Sequence, residues 1–132
     1  MKTGACLCKK VKFSLKHLRD VVNCHCEECR KFHGNYAAFT KVKNEYISIS
    51  GEENINWYQV KNESALRGFC KTCGSSLFWK KEKDDGICVS AGAIDTPTKL
   101  KTTKNIYVDY ASDFYEMDRE LETYPTTMQG RK

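Results

Sequence analysis

Eight cysteines in a chain of 132 residues constrain the fold of this protein more than any other feature. Seven of them fall into three tight groups, and the eighth, Cys88, stands alone in a β-type stretch. The groups are Cys6-Leu7-Cys8, Cys24-His25-Cys26-Glu27-Glu28-Cys29 and Cys70-Lys71-Thr72-Cys73. Such spacing is typical of metal ligands or of a disulfide framework, and the compartment decides between the two.

The compartment is expected to be reducing. The opening residues contain no apolar segment of a secretory signal, and no apolar run approaches the ~18 residues of a membrane span. We therefore expect a cytoplasmic protein with no membrane partner, in surroundings where disulfides are rare. Clustered cysteines in that setting more often bind metal, and zinc is the favoured ion.

Two of the groups are predicted to form one closed zinc site. Structural zinc takes four ligands in a tetrahedron, and one chain segment commonly supplies two closely spaced thiolates. Cys6 and Cys8 complete such a set with Cys70 and Cys73, and Gly74 suits the left-handed turn that this pair needs. The alternative is a pair of disulfides, which the expected compartment disfavours.

The middle group differs in kind, because Cys24, Cys26 and Cys29 bring three thiolates together on one short segment. Three protein ligands with an open fourth position is the pattern of a catalytic zinc. The alternative is that a fourth ligand, either Cys88 or His33, closes the site and makes it structural.

Four further residues, the neighbours of these three cysteines and the isolated Cys88, need a structural or a functional interpretation. His25 lies between two ligands, so in an extended segment it points away from the metal and is interpreted as a supporting or packing residue rather than a ligand. Arg30 and Lys31 adjoin the group, where they either neutralise an anionic substrate or offset the charge of the thiolates. Cys88 has no neighbouring cysteine and is expected to pack as a small buried apolar residue.

Hydrophobic periodicity predicts a mainly β protein with little helix. Strand patterns occur over 11–15, 46–50, 54–60, 76–79, 87–91 and 106–108, and Asp85-Gly86 suits a hairpin turn. Short helices are predicted over 27–32 and 114–121. The length and the 40% hydrophobic content suit one core, so we predict a single domain over residues 1–125 and a flexible tail over residues 126–132.

With these motifs identified, the chain resembles the glutathione-dependent formaldehyde-activating enzyme family, which also includes centromere protein V. Four blocks in the same order carry the resemblance along residues 3–108. They are similar to G-x-C-x-C-G-x-V-x-F at 4–13, C-H-C-x-x-C-R-K at 24–31, R-x-F-C-x-x-C-G-S-x-L-F-W at 67–79 and V-x-x-G-x-L-D at 89–95. The chain departs from the pattern at Lys9, where Gly is usual, and at Asn105, where relatives often show the His of H-I-F-V.

The resemblance implies several small curved antiparallel sheets in a β-tent-like domain stapled by zinc. It also implies about two zincs per chain, a structural one on Cys6, Cys8, Cys70 and Cys73 and a catalytic-type one on Cys24, Cys26 and Cys29. The activity that it implies is that of a carbon–sulfur lyase of the S-(hydroxymethyl)glutathione synthase type, which joins formaldehyde to glutathione.

Spacing and resemblance together predict a zinc-dependent enzyme that adds a thiol such as glutathione to a small aldehyde such as formaldehyde, or runs the reverse reaction. Arg30, Lys31 or Arg67 are the residues expected to bind the carboxylates of the substrate. The alternative is a non-catalytic, zinc-stabilised binding module. Nucleic-acid binding is disfavoured despite a formal charge of +5, because the basic residues are dispersed and the aromatic residues fall on strand patterns.

Overall fold

The computed structural model describes residues 1–61 and 63–128, and it is mainly β, with 42% of the chain in strands. The predicted fold class is therefore confirmed. Within the described residues the strands are β1 (Lys2–Ala5), β2 (Lys12–Leu15), β3 (Val21–Cys24), β4 (Ala37–Lys43), β5 (Ile47–Ser50), β6 (Ile55–Gln59), β7 (Ala65–Cys70), β8 (Ser76–Lys81), β9 (Gly86–Ser90), β10 (Thr102–Ile106) and β11 (Glu122–Thr123), and α1 spans Glu27–His33.

The chain divides into two compact units, and β4 belongs to both. The first unit comprises residues 1–19 and 40–99, and the second comprises residues 20–39 and those from 100 onward. The single domain predicted over 1–125 remains a prediction. The tail predicted over 126–132 extends beyond the described residues, which end at Met128.

The first unit contains two sets of antiparallel strands. One is the sheet β1-β2-β5, and in the other the strands follow the order β9-β8-β7-β6. Alternation along β2 buries Phe13 and Leu15 while Lys12 stays in solvent, as period-two patterning requires. The ring of Phe13 meets that of Phe78 edge-on with centroids 5.6 Å apart, so the β2 face packs on β8 in a common core.

The second unit is built around β3. This strand pairs antiparallel with β4 and parallel with β10, and β11 continues the set in parallel with β10. Ile106 of β10 and Ala37 of β4 are both register partners of Cys24, so the first cysteine of the middle group lies between two strands. The parallel pairings were not anticipated from the sequence, because a parallel partner lies far along the chain and leaves no turn signal.

Two local predictions are wrong. Residues 114–121 form bends and turns rather than a helix, and the Asp118 carboxylate accepts from the amide of Glu120 at 2.9 Å, a local bond that competes with helix formation. The strand expected over 106–108 ends at Ile106, after which Tyr107 takes a left-handed conformation. Among the described residues no helix is long and apolar enough to cross a bilayer.

Gly4 provides a test of the core of the first unit. A Cβ atom at this position would overlap the Phe13 ring and the Ala93 carbonyl oxygen. We expect Gly4→Ala to lower the free energy of unfolding by about 1–3 kcal/mol, because the backbone must shift to admit the methyl group. The measurement is urea unfolding of the metal-loaded protein.

Gly92→Ala is the matched control, since a Cβ atom there meets nothing within 4 Å. Its effect on the free energy of unfolding should stay within about 0.5 kcal/mol. Equal losses in the two variants would contradict the close packing assigned to β1.

Candidate metal centres

Four thiols of the first unit converge on one point. The sulfurs of Cys6, Cys8, Cys70 and Cys73 all lie within 4.8 Å of one another, and the Cys6–Cys8 and Cys8–Cys70 Sγ separations are both 3.7 Å. A disulfide needs about 2.05 Å, and all four cysteines are free in this structure. A tetrahedron with metal–sulfur bonds of about 2.3 Å has edges of about 3.8 Å, so the thiols fit a four-coordinate metal.

The two segments that supply these thiols fold alike. The amide of Cys6 donates to the carbonyl of Val11, and the amide of Cys70 donates to that of Ser75, both at 3.0 Å. Each loop also returns an amide to its first sulfur, from Val11 to Cys6 Sγ at 3.3 Å and from Thr72 to Cys70 Sγ at 3.4 Å. Two hairpin loops thus present their sulfurs together while backbone N–H groups stabilise negative charge on them.

The residue after the second cysteine is left-handed in both loops. Gly74 has φ 79°, as predicted from the need for a tight turn, and Lys9 has φ 68°. Glycine adopts this conformation freely, whereas the Cβ atom of lysine is crowded there. Lys9 therefore carries backbone strain that the corresponding residue of the second loop does not.

Ser75 connects the two loops and tunes one thiol. Its hydroxyl accepts from the amide of Leu7 at 3.0 Å and lies 3.2 Å from Cys73 Sγ. Hydrogen bonds from the hydroxyl and the amide of Ser75 lower the pKa of Cys73 to about 5. A backbone bond from Lys10 acts to lower the pKa of Cys8, but desolvation and hydrogen bonds with the other three thiols raise it to about 11. The four sulfurs thus include one that ionises easily and one that keeps its proton at neutral pH. Such a group suits a divalent cation, because binding of the cation displaces the protons that the thiols still hold.

The strain at Lys9 predicts that Lys9→Gly stabilises the protein. Glycine relieves the left-handed strain, which stabilises the folded state, but it also makes the unfolded chain more flexible, which offsets part of this gain. The net result should be a rise of about 0.5 kcal/mol in the free energy of unfolding. Lys10→Gly is the control, since Lys10 does not have a positive φ, and it should lower that free energy by about 0.5–1 kcal/mol. Urea unfolding with metal bound checks both, and a loss in both variants would contradict the assignment.

The role of Ser75 predicts a shift in acid sensitivity. A depressed pKa keeps Cys73 ionised until the pH falls through about 5, so protons displace a metal from it only below that value. Ser75→Ala removes the hydroxyl, raises the pKa of this thiol and should move acid-driven metal release to higher pH. Release is followed with a chromophoric chelator during a pH titration, with Ser76→Ala as control. An unchanged midpoint for Ser75→Ala would contradict the role of the hydroxyl.

The second unit gathers Cys24, Cys26 and Cys29, hereafter the trio, whose sulfurs lie within 4.8 Å of one another. Cys24 ends β3, and Cys26 caps the N-terminus of α1, where its sulfur accepts from the amide of Cys29 at 3.3 Å. Because the cap and the third residue of a helix lie on the same side, the spacing brings these two sulfurs together. Hydrogen bonds with Cys26 and Cys29, then burial and their charges, raise the pKa of Cys24.

Helix α1 has opposed charges at its two ends. Glu27 and Glu28 lie in its first turn, and Arg30, Lys31 and His33 lie in its last. This distribution stabilises the helix dipole at both ends. Gly34 ends the helix with φ 102° and an amide bond to the Arg30 carbonyl at 2.8 Å. The helix that orients two of the three thiols is therefore specified locally.

His25, which lies between two cysteines of the trio, is fully buried, and both nitrogens of its ring have hydrogen-bond partners. Its Nε2 lies 2.9 Å from Asn105 Oδ1, and its Nδ1 lies 2.7 Å from the Tyr115 hydroxyl. The Asn105 amide nitrogen donates to the Asp118 carbonyl at 3.0 Å, so its oxygen faces the imidazole and Nε2 carries the proton. Nδ1 then accepts from Tyr115. Burial lowers the pKa of His25, which keeps the ring neutral.

The trio has no fourth member among the described residues, since no further thiol, imidazole or carboxylate joins it. His33 lies at the end of α1 with its ring centroid 5.2 Å from that of Phe39. Cys88 is buried in β9. Neither His33 nor Cys88, the two residues considered as a closing ligand, belongs to this group of thiols.

The three basic residues singled out as substrate ligands lie in different surroundings. Arg30 donates from Nε to the Tyr110 carbonyl at 3.3 Å. Lys31 forms an exposed ion pair with Glu27 at 3.9 Å, one helical turn away. Arg67 is 3% exposed in β7 of the first unit. A substrate role for these residues remains a prediction.

Sequence reasoning missed the residues that surround the trio. Asn105 was noted only as a departure from a family pattern, and Tyr115 was assigned to a helix that does not form. Tyr107 was assigned only to the strand predicted over 106–108. Asn105 and Tyr115 reach His25 across 80 and 90 positions of sequence, and periodicity does not report contacts of that range.

Comparisons with known proteins identify a family and a shared fold. A family model described as glutathione-dependent formaldehyde-activating enzyme matches residues 1–110, which include both cysteine clusters. A Schizosaccharomyces pombe protein named as an uncharacterized lyase is 34% identical over 83 residues, and the match covers 58% of this chain and 55% of that protein, about half of its length. A crystal structure of a Rhodobacter sphaeroides protein shares the fold, with a TM-score of 0.61 and 24% identity over 76% of this chain and 99% of that one.

Proposed function

The chain belongs to the glutathione-dependent formaldehyde-activating enzyme family, and from this premise we propose that it forms or breaks a carbon–sulfur bond at the trio. The family description points to glutathione as the thiol and formaldehyde as the aldehyde. The name of the fission yeast relative points to a lyase. The observation that carries the proposal is the trio itself, three converging thiols that no fourth described residue joins.

We propose zinc at both clusters, about two ions per chain. The four-thiol cluster of the first unit is saturated by protein ligands and is assigned a structural role. The trio leaves one position for a substrate thiol. Zinc bound there would supply Lewis acidity that makes a thiol lose its proton near neutral pH.

The protein groups around the trio then hold its geometry. The sulfur of Cys26 is fixed by the Cys29 amide at the start of α1. The neutral ring of His25 holds the segment between Cys24 and Cys26 through two buried hydrogen bonds. A substrate thiol bound at a cluster held in this way would already be positioned. This positioning would remove much of the entropic cost of bringing the thiol and an aldehyde together.

The proposed reaction conserves atoms and charge. The thiol gives up its proton, its sulfur forms a bond to the carbonyl carbon, and the π electron pair moves to the oxygen, which takes up a proton. The product is a hydroxymethyl thioether, and the reverse sequence cleaves the same bond. Arg30 and Lys31, which follow Cys29 directly on α1, are proposed partners for the carboxylates of glutathione.

Metal content and activity of trio variants test this proposal. Replacing Cys24, Cys26 and Cys29 together by Ser should lower zinc from about two to about one per chain, because each cluster binds its ion independently. The same variant should lose the acceleration of adduct formation over the uncatalysed reaction, with rates measured by NMR with 13C-formaldehyde and glutathione. Far-ultraviolet circular dichroism checks that the β fold remains.

Cys88→Ala is the matched control, since Cys88 belongs to neither cluster. It should keep both zincs and the activity. A wild-type rate of adduct formation in Cys26→Ser, with loss of only one metal, would contradict the catalytic assignment of the trio.

A further inference from the structure

Tyr107 lies at the point where β10 meets the trio. It directly follows Ile106, the register partner of Cys24, and the Ile106 carbonyl accepts from the amide of His25 at 3.0 Å. The peptide unit that joins Ile106 to Tyr107 is therefore bonded to the segment between Cys24 and Cys26. This contact places the Tyr107 backbone beside two of the three thiols.

The backbone of Tyr107 is held in an unusual conformation. Its φ of 57° and ψ of 37° are left-handed, which is rare for an aromatic residue. The amide of Tyr107 donates to the Thr126 carbonyl at 2.9 Å, and its carbonyl accepts from Tyr110 at 3.0 Å. Such strain persists only where surrounding contacts enforce it, and it is concentrated at functional sites.

The side chain of Tyr107 is half-buried in the second unit. Burial raises its pKa first, and negative charge on Cys24, Cys26 and Cys29 raises it further. The hydroxyl therefore stays protonated near neutral pH and acts as a hydrogen-bond donor.

The Tyr107 hydroxyl has no hydrogen-bond acceptor among the described residues, unlike two other tyrosine hydroxyls of this unit. Tyr115 bonds His25 at 2.7 Å, and Tyr124 bonds the Glu122 carboxylate at 2.7 Å. A half-buried tyrosine whose backbone adjoins the segment between Cys24 and Cys26 thus has a hydroxyl donor left available to a substrate.

We propose that Tyr107 is a catalytic residue that donates a hydrogen bond to the aldehyde oxygen at the trio. The inference rests on the proposed function and adds the group that receives the developing charge. When the sulfur attacks the carbonyl carbon, the π pair moves to the oxygen and the Tyr107 hydroxyl stabilises it. The oxygen then takes up one proton, which balances the proton released by the thiol. In the reverse reaction the same hydroxyl stabilises the oxygen as the carbon–sulfur bond breaks.

Tyr107→Phe tests this role because it removes only the hydroxyl. A hydrogen bond to a developing charge is worth roughly 10–100-fold in rate, so kcat with glutathione and formaldehyde should fall by that factor. The KM for glutathione should change by less than about twofold, since the thiol does not use the hydroxyl. Zinc should remain at the wild-type content. The 113Cd resonance of the trio in the cadmium-loaded protein should shift, while that of the four-thiol cluster should not.

Tyr110→Phe is the matched control, because its half-exposed ring lies next to that of Tyr107 with centroids 6.0 Å apart. It should leave kcat and both 113Cd resonances unchanged. An unchanged kcat in Tyr107→Phe, an equal loss in the two variants, or a loss of metal from Tyr107→Phe would overturn the inference. Absence of turnover by the wild-type protein would instead contradict the proposed function itself.

Discussion

The close approach of thiol sulfurs is the interaction on which both units of this protein depend. Two hairpin loops whose first cysteines lie 64 residues apart, at Cys6 and Cys70, bring four sulfurs to separations that match the edge of a metal tetrahedron. In the second unit, a strand end and a helix start bring three sulfurs within 4.8 Å of one another. Thiols this close together cannot all lose their protons without mutual repulsion of the thiolates. A bound divalent cation would remove that repulsion, and its binding free energy would stabilise the folded state.

The two clusters differ because their supports differ. The four-thiol cluster is made by two similar loops, and each contributes backbone amides that stabilise its sulfurs. The trio is made by one segment and draws on distant side chains, with His25 clamped by Asn105 and Tyr115. A cluster saturated by its own loops suits a structural ion. A cluster with three protein ligands and polar groups around it suits catalysis, with the substrate as the fourth ligand.

The cysteine groups and the first helix could be predicted from local sequence, because their geometry is set within a few residues. Gly74 correctly predicted a left-handed turn. The acidic first turn and the basic last turn of α1 are both favourable to the helix dipole. The left-handed turn at Lys9 could not be predicted, because lysine gives no such signal. The parallel pairing of β10 with β3 was also hidden, and with it the position of Tyr107 beside the trio. Residues 114–121 were misassigned to a helix, because the Asp118 side chain bonds the amide of Glu120 and its carbonyl accepts from the distant Asn105 side chain.

The central claim is that the trio holds a metal with a position open to a substrate thiol. Titration of glutathione into protein carrying cobalt in both clusters tests it most directly, because sulfur–cobalt charge-transfer absorption reports each added thiolate. A metal that accepts a substrate thiol at the trio predicts an absorption increase that saturates at one thiol per chain and disappears when the trio is replaced by serine. A spectrum that glutathione leaves unchanged would show a closed site and rule out an open position at the trio.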